Sequence, residues 1–234
     1  GYPGLYIAIM AGVEGGAPGY KGFSDEDLQK ILHEETCTSE EEGWSLCSKT
    51  ETAEVWKKHS PNEAVHLIKG FLYFPGIPPE GVVKMIHDLE LRKRWDTQFP
   101  VIDVLEEHPT HRVVYWLVSM PTPVLNRDIV QYIAEKRDES TNTTYILYSN
   151  APEGIVPHKF GVIRAATILS ASIVRPDPTD PLSTRMTVLL QNDAKGLIPK
   201  FIANSVSAKA PGQWRDNLYN FYVNVYSNEA GSAV

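Results

Sequence analysis

Six short runs rich in β-branched and aromatic residues follow one another at 101–106, 111–119, 128–136, 143–149, 162–174 and 185–192, with no long helical pattern between them. Parallel neighbours need a crossover of a dozen or more residues, commonly a helix, so this spacing restricts the sheet to mostly antiparallel pairing. Three earlier runs, WSLCSKT, TAEVWKK and HLIKGFLYF between Trp44 and Phe74, bring the expected sheet to about nine strands. Helices are left to the flanks. Ser24 is placed to cap one, with Asp25, Glu26 and Asp27 where the helix dipole favours negative charge. Pro75, Pro78 and Pro79 end the third run. From Glu80 to Asp96, apolar residues at Val82, Val83, Met85, Ile86, Leu89 and Leu91 then read as a helical pair.

The period changes again after Gly196. Ile198, Phe201, Ile202, Val206, Trp214, Leu218, Phe221 and Val225 recur at three and four, which is one face of a long helix. Pro199 suits its start, and Pro211-Gly212 in its middle predicts a kink or break that could act as a hinge. The expected fold is therefore α+β: a curved antiparallel sheet around a long C-terminal helix. It forms one domain over 22–228, with a glycine-rich N-terminal arm at 1–21 and a short tail at 229–234. Such a sheet encloses a tunnel if side chains do not fill it. Gly70, Ala165, Ala166, Ser170, Ala171 and Ser172 are small where a solid core would use bulk. Small strand residues also mark close backbone approaches, so a filled core is the alternative.

A net charge of −7 gives no electrostatic footprint for nucleic acid. The apolar run Leu5 to Val13 is shorter than the ~20 residues of a membrane span and has no basic flank. Cys37 and Cys47 are too few for a disulfide scaffold, and a reducing, cytoplasmic setting is expected. No G-x-S-x-G, H-E-x-x-H or P-loop pattern is present, so the reading is of a non-enzyme without cofactor. GVEGGAPG follows no strand and opens no helix, which argues against a phosphate loop. His33 and Cys37 share helical spacing but lack further ligands in the sequence, so no metal is expected.

The segments LRKRWD (91–96), VVYWLV (113–118), NRDIV (126–130), GVIRAATIL (161–169) and GLIP (196–199) narrow the choice. In their order and spacing, and with the terminal amphipathic helix, they resemble the START lipid-transfer domain family from about Gly22 to Tyr226. That resemblance implies a helix-grip fold whose sheet wraps the C-terminal helix and encloses one lipid. It further implies a monomer that carries the lipid between membranes through transient contact with their surfaces. The connection from Pro121 to Asn126 would form an omega loop beside the cavity mouth, a gate with Met120, Val124 and Leu125 as its apolar tip; the alternative is that these residues merely cover the helix end. Between Asp193 and Asp216 the charged residues are Lys195, Lys200, Lys209 and Arg215, all basic. Lys200 and Lys209 thus offer a face for anionic head groups, with Pro211 and Gly212 as the hinge of a lid.

Arg92 and Asp96 lie four apart on one helix face, in the poorer order for a surface pair. A guanidinium grips phosphate through a planar fork, and a neighbouring carboxylate fixes the fork. The resemblance implies that Arg92 contacts a lipid phosphate; the alternative is a solvated salt bridge. Family members that carry choline lipids surround the quaternary ammonium with aromatic rings. Trp116 matches one ring, but Ile129 and Ile168 stand at the other two positions. By strand alternation, Gln131 and Ile133 face the same way as Ile129. Gln131 then either binds an ethanolamine, serine or other polar head or pairs with a neighbouring strand. Ile129, Ile133, Ile168, Ile198, Ile202 and Val206 are the expected cavity lining. A sterol or other apolar ligand, or a sensor that retains its lipid, is the competing reading.

Overall fold

The computed structural model describes residues 20, 22–38, 40–58, 65–196, 198 and 200–231, without the side chains of 41, 200–208, 230 and 231. The N-terminal arm apart from Tyr20, and the side chains of Lys200, Ile202 and Val206, lie outside the described set.

Helix α1 (Asp25–Thr36) starts where the sequence placed it: Ser24 Oγ accepts the Asp27 amide at 3.1 Å and the Asp27 carboxylate accepts the Ser24 amide at 3.1 Å. Three strands follow, β1 (Trp44–Lys49), β2 (Ala53–Lys58) and β3 (Leu67–Phe74). Helices α2 (Pro79–His87) and α3 (Leu89–Trp95) meet at Asp88, whose carboxylate caps α3 through the Leu91 amide at 3.1 Å. Then come β4 (Val101–Glu107), β5 (Arg112–Val118), β6 (Asn126–Asp138), β7 (Thr143–Asn150), β8 (Val162–Arg164), β9 (Ala166–Pro176) and β10 (Thr184–Asp193). The chain ends in α4 (Lys200–Phe221), a π-helical turn (Tyr222–Tyr226) and α5 (Ser227–Gly231). Among the described residues no helix is long and apolar enough to cross a membrane.

The strands form one sheet in the order β1-β2-β3-β10-β9-β7-β6-β5-β4, antiparallel throughout that path. The run expected as one strand over 162–174 is two, because it changes partner at Ala165. Its first part, β8, lies parallel to β6 with Asn126 opposite Val162, and its second part joins β7 and β10. Asp128 holds the break with both its groups. Its carboxylate takes Arg164 at 2.8 and 3.1 Å, and its carbonyl accepts the Ala165 amide at 2.9 Å. Hydrophobic pattern does not report such a partner switch.

Both faces of the sheet are covered. On one, α2, α3 and α4 bury Met85, Trp95 and Leu218 against Phe74, Val114, Trp116, Ile129 and Val188. On the other, α1 lays Ile31 over Leu67, Ile173 and Leu189, while Tyr20 and Val156 cover Val113, Val130 and Tyr132. Every residue from Arg127 to Ala134 is accordingly buried. The C-terminus of α1 is held by buried Lys69, whose ammonium donates to the Glu34, Glu35 and Cys37 carbonyls and lies 3.9 Å from the Trp44 ring centre.

Three expectations need correction. Pro211 does not break the terminal helix; α4 runs through it from Lys200 to Phe221. The proline is buried against the sheet, where a Cβ on Gly70 would stand 3.0 Å from its Cβ and 2.9 Å from Val188 Cγ2. Gly70 therefore marks a close helix–sheet approach and not open space. Ala171 points to the α1 side with Leu169 and Ile173, so it cannot widen a tunnel on the other face. The tail expected from residue 229 begins inside α5, where Glu229 grips Arg94 of α3 at 2.7 and 3.0 Å.

Candidate functional site

Arg92 and Asp96 are brought together in the apolar layer between the helices and the sheet. Asp96 ends α3, and its Oδ2 accepts Arg92 Nε at 3.0 Å; the residues are 8% and 2% exposed, so the solvated-pair alternative fails. The same oxygen accepts the Trp214 indole N–H from α4 at 3.0 Å. Four rings surround the guanidinium: its carbon lies 4.7 Å from the centre of Trp116, 5.4 Å from Phe99, and 5.9 Å from each of Trp95 and Trp214. Cation–π attraction and the carboxylate together offset the desolvation of the charge. Among the described residues the guanidinium makes only the Nε hydrogen bond, which leaves both terminal nitrogens for an outside acceptor. The buried Trp116 indole N–H also finds no partner among them. Such a group of donors suits an oxyanion.

The other sequence candidates divide. Ile129 and Ile133 are buried in the same cluster as Trp116. Gln131 Nε2 donates to Thr167 Oγ1 of β9, the strand beyond β7, at 2.6 Å. Ile168 stays 37% exposed and outside the cluster, although alternation along β9 points it the same way as Val174. Ile198 is half-buried. At the loop, Met120 and Val124 are half-buried and Leu125 is 52% exposed. Lys209 is exposed, Pro211 buried and Gly212 half-buried.

Two groups escaped the sequence reading. Trp214 was visible only as part of a helical stripe, and nothing in a periodicity distinguishes a ring that also donates to Asp96. Arg127 is the second. It is buried at the base of the β5–β6 loop, where Nη1 donates to the Leu125 carbonyl, Nε to Ala194 at 3.0 Å and Nη2 to Lys195 at 2.9 Å. Burial pulls its pKa down from the usual guanidinium value. One side chain thus ties the loop over 119–125 to the segment that leads into α4. Met120 N donating to Asn126 Oδ1 at 3.0 Å and Val124 N to the Pro121 carbonyl at 2.9 Å make that loop an ordered element.

Away from this region, Glu42 comes beside His33 and Cys37, so that the three offer ligand atoms within 4.8 Å of one another, a juxtaposition that spacing does not show. A hydrogen bond to Glu42 is the main reason why the Cys37 thiol sits above the ordinary thiol range.

A single large antiparallel sheet with a long C-terminal helix across one face, and a buried polar group between them, defines a helix-grip domain. The chain belongs to the START domain family, which it matches over residues 28–216. START domain-containing protein 10 of Mus musculus and of Homo sapiens are each 28% identical to it over 187 residues, covering 78% of this chain and 61% of the relative. The chain thus spans about three fifths of those relatives' length. The phosphatidylcholine transfer protein of Bos taurus is 25% identical over 191 residues, covering 80% of this chain and 88% of that one. Among solved structures, human StAR-related lipid transfer protein 5 superposes with a TM-score of 0.74 at 20% identity, over 84% of this chain and 92% of its own. Human STARD10 gives 0.72 at 24%, over 87% and 84%.

Proposed function

We propose that this chain encloses one glycerophospholipid, holds its phosphate at Arg92, and passes it as a monomer between membranes that it touches transiently from the cytoplasmic side. The observation that carries this reading is the buried guanidinium, two of whose nitrogens have no partner among the described residues, beside the Trp116 N–H, which also has none among them. The cargo requires enclosure: each buried methylene is worth ~0.8 kcal/mol, so a chain of about sixteen carbons carries on the order of 13 kcal/mol. A carrier in water must match most of that environment or leave the lipid in its membrane.

The same geometry argues against a choline cage. The ring faces that could receive a quaternary ammonium face Arg92 instead, and the matching positions Ile129 and Ile168 are aliphatic. A head group recognised through its phosphate alone fits better. A sterol or another ligand without phosphate is the second reading, favoured by the neutrality of the Arg92–Asp96 pair, which has no uncompensated charge to offer.

Native mass spectrometry after incubation with a mixture of phospholipids and cholesterol tests the choice. One phospholipid per wild-type chain is expected, and a loss of about tenfold or more in occupancy for Arg92→Leu, since a charge-assisted hydrogen bond is worth ~1.5–3 kcal/mol. A sterol adduct alone, or phospholipid occupancy indifferent to Arg92, refutes the phosphate role.

A further inference from the structure

Phe160 is fully solvent-exposed, at 107% of the reference area, on a backbone that is anything but loose. The Val162 amide donates to the Lys159 carbonyl at 3.2 Å, closing a four-residue turn with Phe160 at its first central position. Gly161 at the second has φ +77, as a type II turn requires, and a Cβ there would meet nothing within 4 Å. The turn therefore projects into open space and carries a large apolar side chain at its tip. The described residues give no reason for this, since burying a phenylalanine is worth ~1.5–3 kcal/mol and none of them covers it.

Its place in the sheet supplies one. Because β8 runs parallel to β6 with Val162 opposite Asn126, the two strands enter the sheet side by side from the same end. Continued back by one residue, that register sets Gly161 of the turn level with Leu125, so the Phe160 turn and the end of the loop are neighbours, and Leu125 is 52% exposed. Leu125 is joined through Arg127 to Lys195, which is exposed. The exposed charged side chains flanking the tips are Lys159, whose ammonium also lies 4.1 Å from the centre of the Tyr115 ring, and Lys195, both basic, on a chain of net charge −7. The nearest acid along the chain, Asp193, accepts the Lys195 amide at 2.9 Å, and Glu153 lies seven residues before Phe160.

We infer that the Phe160 turn is a second membrane-inserting finger, which docks with Leu125 on an anionic bilayer surface. Apolar tips flanked by lysines suit the boundary between head groups and acyl chains, where the apolar side chains lose water and the ammonium groups meet lipid phosphates. Two rigid tips fix an orientation that a single tip cannot, and they set the loop tied by Arg127 against the bilayer. This rests on the transfer reading above, but it concerns docking and not cargo.

The test is co-sedimentation of the full chain with phosphatidylcholine vesicles, with and without phosphatidylserine. Phe160→Ala should lower partitioning by about tenfold on both, and Phe160→Trp should restore it. Phe160→Ala should leave the urea midpoint unchanged, because the side chain is fully exposed. Partitioning of Phe160→Ala equal to wild type overturns the proposal. So does a concentration-dependent dimer that Phe160→Ala abolishes while vesicle binding persists, which would assign the tip to a second copy. Lipid capture from detergent micelles separates the two readings: Phe160→Ala should capture as wild type does, whereas a failure of Arg92 to matter bears on cargo alone.

Discussion

Replacing Arg127 by Leu removes three donors at the point where the loop over 119–125 meets the segment before α4. The leucine fills the space of the aliphatic stem but leaves the carbonyls of Leu125, Ala194 and Lys195 without the guanidinium. Hydrogen bonds to a charged group are worth ~1.5–3 kcal/mol each. The freed carbonyls lie at loops and recover water, and the variant no longer buries a charge, so a net local loss of ~2–4 kcal/mol is expected. The lower figure already raises the open population about thirtyfold. Amide hydrogen exchange reads this directly. The Met120 and Val124 amides, bonded to Asn126 Oδ1 and the Pro121 carbonyl, and the Lys195 amide on Asp193 should exchange on the order of thirty to a thousand times faster. Amides of β7 should stay protected. Arg127→Lys should fall between, because one ammonium lacks the planar fork that reaches three acceptors. Unchanged protection in the loop, or a uniform loss across the sheet, would show that Arg127 supports the fold and does not latch these two segments.

Two further outcomes test the packing and the electrostatics. Gly70→Ala places a methyl 2.9 Å from Val188 Cγ2 and 3.0 Å from Pro211 Cβ, and should destabilise by ~1–3 kcal/mol, a fall in Tm of about 3 °C per kcal/mol; an unchanged Tm would mean that α4 does not press on β3. The Asp177 carboxyl is held well below the usual carboxylate range by the Thr179 hydroxyl first, then the Thr179 amide and Arg185. Its folded pKa being the lower one, the stabilisation is present above the unfolded value of about 4 and is lost as pH falls through the folded value. The urea midpoint of the wild type should therefore drop more steeply below pH ~4 than that of Asp177→Asn; parallel curves would remove the effect.

Much of the fold was readable because it rests on local periodicity. The first three strands, the N-cap at Ser24 and the helical pair over 80–96 all follow from spacing and cap chemistry, and the structure places each within a few residues. What was not readable depends on which partner a residue meets. Val162 to Val174 looks like one strand because side chains alternate through it, yet Asp128 divides it from another strand. Pro211 looks like a breaker because a helix alone would be weakened there, yet α4 continues where Gly70 lets the proline pack. The candidate site shows the same division. Arg92 and Asp96 share a helix face and could be paired from sequence, whereas Trp214 donates to Asp96 across 118 positions.

The length of the β5–β6 connection follows from these contacts. A two-residue turn would join the strands and carry nothing else. The longer loop places the Leu125 carbonyl on Arg127, which also holds Ala194 and Lys195, and brings Leu125 beside the Phe160 turn through the β6–β8 pairing. The charged residues left over, Arg127 and Asp128, are both buried and both used, one to tie loop to helix entry and the other to set the strand switch. Displacing Leu125 at a bilayer would load the Arg127 bonds at one end and the start of α4 at the other. On the docking proposed above, contact with the membrane and release of the helix entry would be coupled through a single guanidinium, and a variant at Arg127 should separate docking from opening where one at Leu125 would change both.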